Sequence, residues 1–119
     1  MTGAVAITLV ALGYLAPVVP SAPMITEAYH GQQWTEAQMR ELICRPEYKW
    51  SCAWALKTTW CESRFVEGVV SPDGQYVGFW QDLNGPADPQ ANTDEAYRKW
   101  SAWQRGEVPL PWPSCGVVD

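Results

Sequence analysis

Ser51-Cys52-Ala53-Trp54-Ala55-Leu56-Lys57-Thr58-Thr59-Trp60-Cys61-Glu62-Ser63-Arg64-Phe65 is the stretch that decides how this chain folds. Ser51 suits an N-cap, because its hydroxyl accepts from the unpaired first amides of a helix, and Cys52, Leu56, Thr59 and Ser63 recur behind it at helical spacing. Lys57 is the only charge between Trp50 and Glu62, which predicts a central, mostly buried helix with Glu62 in its last turn. A carboxyl in that position is poorly solvated. Desolvation favours its neutral form, and a glutamic acid lifted to ~6 or above keeps a proton that it can donate. The plain alternative is an exposed glutamate at a frayed helix end.

Upstream, Thr35 followed by Gln38 is a capping-box pattern, and Met39, Leu42 and Ile43 share one helical face. A first helix is expected from Thr35 to Cys44, and Pro46 interrupts it by removing a backbone donor. Downstream, Val69-Val70, the turn signal Pro72-Asp73-Gly74 and then Tyr76-Val77-Gly78-Phe79-Trp80 read as a short β-hairpin. Asn84-Gly85-Pro86 forms a second loop. Asp88-Pro89 then sets a capping carboxylate before a proline at the first helical position, opening a third helix through Ala96, Tyr97 and Trp100 to about Trp103, which Gly106 ends. The tail, with Pro109, Pro111 and Pro113 around Trp112, is expected to be irregular. The fold class is therefore α+β, mainly helical, with a short β-hairpin beside the Glu62 helix.

The whole chain of 119 residues has room for one domain. Its net charge of −5 gives no basic face for phosphates, which excludes nucleic acid as a partner. Eight tryptophans are a strong excess, and three or four are expected in the core, the others being free to stack on flat apolar surfaces such as sugar faces. No charge precedes Glu27, and Ala4 to Val19 is almost wholly apolar. Residues 1–23 are read as a signal peptide or an N-terminal membrane anchor, residues 24–33 as a linker and 34–119 as the folded domain. The four cysteines, at 44, 52, 61 and 115, lack the close pairing of a zinc site, and the single histidine, His30, lies outside their cluster, so two disulfides and an extracytoplasmic location (secreted or in the cell envelope) are expected.

Three motifs occur in order: Cys61-Glu62-Ser63 at the helix end, Gly78-Phe79-Trp80-Gln81 in the β-region, and Trp112-Pro113-Ser114-Cys115 in the tail. Gly78 permits close approach of a substrate or backbone, and Gln81 offers both a donor and an acceptor suited to an N-acetyl amide. Together the motifs resemble the lysozyme-like superfamily, specifically lytic transglycosylases and resuscitation-promoting-factor-type domains, over about Ile43 to Gly116. The Ala-Tyr-Asn motif of many transglycosylases is absent, Ala96-Tyr97-Arg98 being a partial echo.

The resemblance implies a monomeric enzyme without cofactor or metal that cleaves the β-1,4 glycan strands of peptidoglycan. In it Glu62 would be the general acid and then the base, with Ser63, Gly78, Trp80, Gln81 and Tyr97 at the substrate. The motif order also implies a Cys61–Cys115 disulfide, which leaves Cys44 to pair with Cys52. A hydrolytic glycosidase needs a second carboxylate. Asp73 and Asp82 are the candidates, but both read equally well as turn-formers, which favours attack by the muramoyl sugar's own hydroxyl. A water-using muramidase and a non-catalytic glycan-binding domain remain the alternatives, and Glu67 is the next candidate acid.

Overall fold

A computed structural model describes residues 31–117, so the export segment and residues 24–30 of the expected linker lie outside the described residues. Helix α1 spans Glu36–Ile43, α2 spans Cys52–Ser63 and α3 spans Pro89–Gln104, with strands β1, Tyr76–Val77, and β2, Asp82–Leu83, between α2 and α3. The fold is α+β and mainly helical, as the sequence predicts. The capping signals act as read: Thr35 and Gln38 form a reciprocal capping box, the Ser51 hydroxyl accepts from the Trp54 amide, and the Asp88 carboxylate accepts from the Ala91 amide. Residues 31–33 already belong to the domain, since Gly31 donates to the Glu67 carbonyl, Glu67 donates to the Gln32 carbonyl, and Gln33 bridges to Val66.

Helix α2 is buried along Ala55, Leu56, Thr58, Thr59 and Ser63, while Ala53, Lys57 and Trp60 face solvent, so it is half-covered instead of mostly buried. It stops abruptly. Arg64 and Phe65 both adopt positive φ, at 54° and 62°, a left-handed conformation costing roughly 1–2 kcal/mol per non-glycine residue. Burial of the Phe65 ring and the bond that the Gln33 amide donates to the Arg64 carbonyl hold it there. The kink fixes Glu62 in the last turn.

The β-region departs from the expected pairing. Val70 and Val77 form only an isolated bridge, and the two-stranded sheet pairs β1 with β2 in antiparallel register, Tyr76 opposite Leu83 and Val77 opposite Asp82. Phe79 and Trp80, expected in a strand, form the turn and plunge into the core. The hydrophobic alternation that sets strand register is thus overridden by the need to bury two large rings. Three tryptophans, Trp50, Trp80 and Trp112, are buried. Trp50 stacks on Trp80 at 4.6 Å between centroids, and the Trp112 indole N–H donates to the Trp80 carbonyl over 2.8 Å, so tail, turn and the loop before α2 meet in one cluster.

Both expected disulfides form. Cys44–Cys52 staples the α1–α2 connection, and Cys61–Cys115 ties the irregular tail to the last turn of α2. Disulfides of this kind persist in oxidising compartments. Among the described residues no helix is long and apolar enough to cross a membrane.

Candidate functional site

Glu62 is partly buried, and among the described residues nothing donates a hydrogen bond to its carboxyl. Burial, with the nearby Asp82 charge as a second cause, lifts it from an ordinary 4.5 to about 7. The expected poorly solvated acid is therefore present, and the frayed, exposed glutamate is not. Its neighbour in sequence is less available: Ser63 is buried and its hydroxyl donates to the Thr59 carbonyl at 2.9 Å.

Asp82 is the second acid. It is 2% exposed, and burial lifts it from 3.8 to about 6, against the lowering influence of Lys99. The Lys99 ammonium stands 3.5 Å from Oδ1, an ion-pair distance too long for a strong hydrogen bond, and neither oxygen has a hydrogen-bond partner among the described residues. The sheet register explains how it got there. Asp82 and Val77 face inward while Leu83 and Tyr76 face outward at 49% and 42% exposure, so β2 is inverted relative to the usual rule of apolar residues inside. Inverted polarity of this kind concentrates at functional or strained sites. It corrects the reading of Asp82 as a turn-former.

Asp73 is a turn-former. Its exposed carboxylate accepts from the Ser71 hydroxyl at 2.6 Å and the Gln75 amide at 3.0 Å, and those bonds hold it below the usual carboxylate range. Glu67 is likewise committed, accepting from the Trp34 indole N–H at 2.9 Å.

Gly78 has φ 84°, and a Cβ there would lie 2.5 Å from the Asn92 side chain. The close approach it permits is therefore to Asn92, not to a substrate. Fully buried Asn92 accepts from the Trp80 amide and donates to the Val77 and Pro86 carbonyls, clamping the β-region onto α3. Gln81, at φ 47°, donates from its side-chain amide to the Val69 and Gly78 carbonyls, and its amide oxygen accepts no bond among the described residues. Trp80 has no exposed face, so in place of the substrate contact that the resemblance implies it has a core role. Tyr97 is also structural: its hydroxyl accepts from the Lys49 amide, and its ring stacks on Trp100.

A groove of about 430 Å³ is lined by Gln81, Asp82, Arg98 and Lys99, with Tyr76, Leu83, Leu110 and Trp112 among its apolar walls; Glu62 is not among its lining residues. The sequence reading did not single out Tyr76, Leu83 or Leu110. Exposed, apolar Tyr76 and Leu83 flanking an inward Asp82 were the available signal, legible only once the register was known. A second groove, about 660 Å³, opens beside Trp34, Lys57 and Trp60 on the exposed face of α2. Compared with protein-family models, with curated proteins and with solved structures, the chain matches none.

Proposed function

We propose that the chain is an extracytoplasmic, glycan-cleaving enzyme of lysozyme-like type, a lytic transglycosylase acting on the peptidoglycan strand with Glu62 as its proton donor. The observation that carries this reading is a partly buried carboxyl at the end of α2 that accepts no hydrogen bond among the described residues, and that burial pushes up to about 7. An acid poised near neutral pH is what protonation of a glycosidic oxygen requires. A groove with apolar walls at Tyr76, Leu83 and Leu110 offers surfaces for sugar faces, and the Gln81 amide oxygen, which accepts no bond among the described residues, suits an acetamido N–H.

In the reaction so read, Glu62 gives its proton to the leaving oxygen as the C1–O bond breaks. The same carboxylate then takes the proton of the muramoyl 6-hydroxyl as its oxygen bonds to C1, closing a 1,6-anhydro ring and returning Glu62 to its acid form. Asp73, exposed and bound into its turn, is unsuited to a second catalytic role. The buried acid Asp82 favours a second reading, a hydrolase in which water attacks and a reducing end is released.

A zymogram on purified cell wall with wild type and Glu62→Gln tests the proposal. Clearing by the wild type and a loss of ~100-fold or more in the variant are expected. Equal clearing by a folded Glu62→Gln protein sinks it.

A further inference from the structure

The second half of α2 carries three hydroxyl side chains, and two of them are spent on the helix itself. Thr59 donates to the Ala55 carbonyl at 2.8 Å and Ser63 to the Thr59 carbonyl at 2.9 Å, the usual bond from a helical hydroxyl to the carbonyl one turn back. Thr58 makes no such bond. It is 0% exposed, and its Oγ1 has no hydrogen-bond partner among the described residues. A buried hydroxyl left unpaired destabilises a fold and calls for a reason.

The helix supplies one. Glu62 follows Thr58 by four residues, which puts the two on one face with their Cβ atoms about 5–6 Å apart. Helical side chains point back towards the N-terminus, so Glu62 leans over the turn that holds Thr58 and Thr59. Of those two hydroxyls only that of Thr58 is unengaged, and the Glu62 carboxyl itself accepts no bond among the described residues. A free donor and an acceptor without donors thus share one face of α2.

Resting on the reading of Glu62 as the acid, we propose that Thr58 is a positioning residue for Glu62: once the proton has gone to the leaving oxygen, the Thr58 hydroxyl donates to the new carboxylate and holds it for the returning proton. The contact is not needed while Glu62 is the neutral acid, whose own O–H is reserved for the substrate. Ionisation changes the balance, because a hydrogen bond to a carboxylate is shorter and roughly twice as strong as one between neutral groups. Rotation about the Thr58 Cα–Cβ bond or within the longer Glu62 side chain brings the groups together. No proton changes owner in this contact. Thr58, buried away from substrate, acts only through Glu62. Among the described residues the titratable group that bears on Glu62 is Asp82 on β2, and its charge favours the protonated form, opposite to the Thr58 bond.

Carboxyl-carbon and threonine Cβ NMR titrations of the full chain read the contact without substrate. As Glu62 ionises in the wild type, the Thr58 Cβ signal should move with the same midpoint. In Thr58→Val, which keeps the side-chain shape and removes the donor, the Glu62 midpoint should rise by about one pH unit, and kcat on glycan at pH 5 should fall about tenfold with KM unchanged. Thr58→Ser returns the hydroxyl and should restore most of both. A Thr58 signal that stays still through the Glu62 step overturns the proposal in the wild type alone, which covers a Thr58→Val protein that fails to fold. An unmoved Glu62 midpoint in Thr58→Val overturns it too, as does a Thr58→Ser protein no nearer to wild type than Thr58→Val, which would make Thr58 a packing residue. Joint titration of Thr58 and Glu62 in a wild type that does not clear cell wall would uphold the contact and remove the glycan-cleaving reading on which its catalytic role rests.

Discussion

Replacing Glu62 with Gln should make the protein more stable at neutral pH and leave it unchanged in acid. The folded state holds the Glu62 proton to about 7, whereas the unfolded chain releases it near 4.5. Below 4.5 both states are protonated and nothing is lost. Between 4.5 and 7 the unfolded state binds fewer protons than the folded one, so stability falls as pH rises through that window. At ~1.4 kcal/mol per tenfold change in proton affinity, the full displacement corresponds to roughly 3 kcal/mol. Water still reaches the partly buried carboxyl, which reduces the expected loss to about 1–2 kcal/mol. Gln, uncharged at every pH, imitates the protonated acid. In a domain of this size the variant should therefore melt on the order of 5 °C or more above wild type at pH 7.5, with the two midpoints converging at pH 4. Thermal unfolding followed by circular dichroism across that range measures the difference directly. Parallel curves, with the same offset at both pH values, would refute the reasoning, because they would show that Glu62 titrates normally in the folded state.

The product of glycan cleavage should end in a 1,6-anhydro muramoyl sugar, one water lighter by mass spectrometry than the hydrolytic product; reducing-end product would select the muramidase reading. Gly78→Ala should cost about 2–4 kcal/mol, combining a left-handed alanine with a clash against Asn92, whereas Gly74→Ala, at similar φ but with no atom near its Cβ, should cost only about 1–2 kcal/mol; urea midpoints separate the two. Removing Cys61–Cys115 by paired serine substitutions should destabilise by roughly 4 kcal/mol against roughly 2.5 kcal/mol for Cys44–Cys52, since the loops closed span 54 and 8 residues. Equal losses in chemical denaturation would contradict that ordering.

The helices and their caps were legible because each rests on local chemistry: a hydroxyl or carboxylate facing free amides at Thr35, Ser51 and Asp88, and an apolar face at Met39, Leu42 and Ile43. Glu62 was legible for the same reason, its setting being the apolar helix that carries it. The β-region was not. Its register is decided by where Trp80 finds room against Trp50 and Trp112, partners about 30 residues distant on either side, and Phe79 against Trp34, and no local alternation encodes that. Once the turn is displaced to Gly78–Gln81, Asp82 swings inward and Leu83 outward, and a residue that reads as a turn-former becomes a buried acid. The roles given to Gly78 and Trp80 fail through the same cause. Gly78, expected to admit a substrate or another backbone, admits the Asn92 side chain, and Trp80, expected at the substrate, fills the core, because the turn is tucked under α3.

That tucking also explains how so small a domain holds a buried carboxylate whose one close counter-charge among the described residues is Lys99, 3.5 Å away. A buried charge without hydrogen bonds tends either to take up a proton or to open the structure to water. Opening here would mean lifting β2 away from α3, and Asn92 resists it with three hydrogen bonds to the Trp80, Val77 and Pro86 backbone. On the other flank the Trp112 indole holds the Trp80 carbonyl, and Cys115, three residues later, anchors that tail to the turn carrying Glu62. Asp82 is thus confined between two elements that are each tied to the core, and one tie is covalent. Loosening either should let water reach the carboxylate and return Asp82 towards ordinary proton affinity. The stability of the clamp and the proton affinity of Asp82 are for that reason one coupled property of the fold.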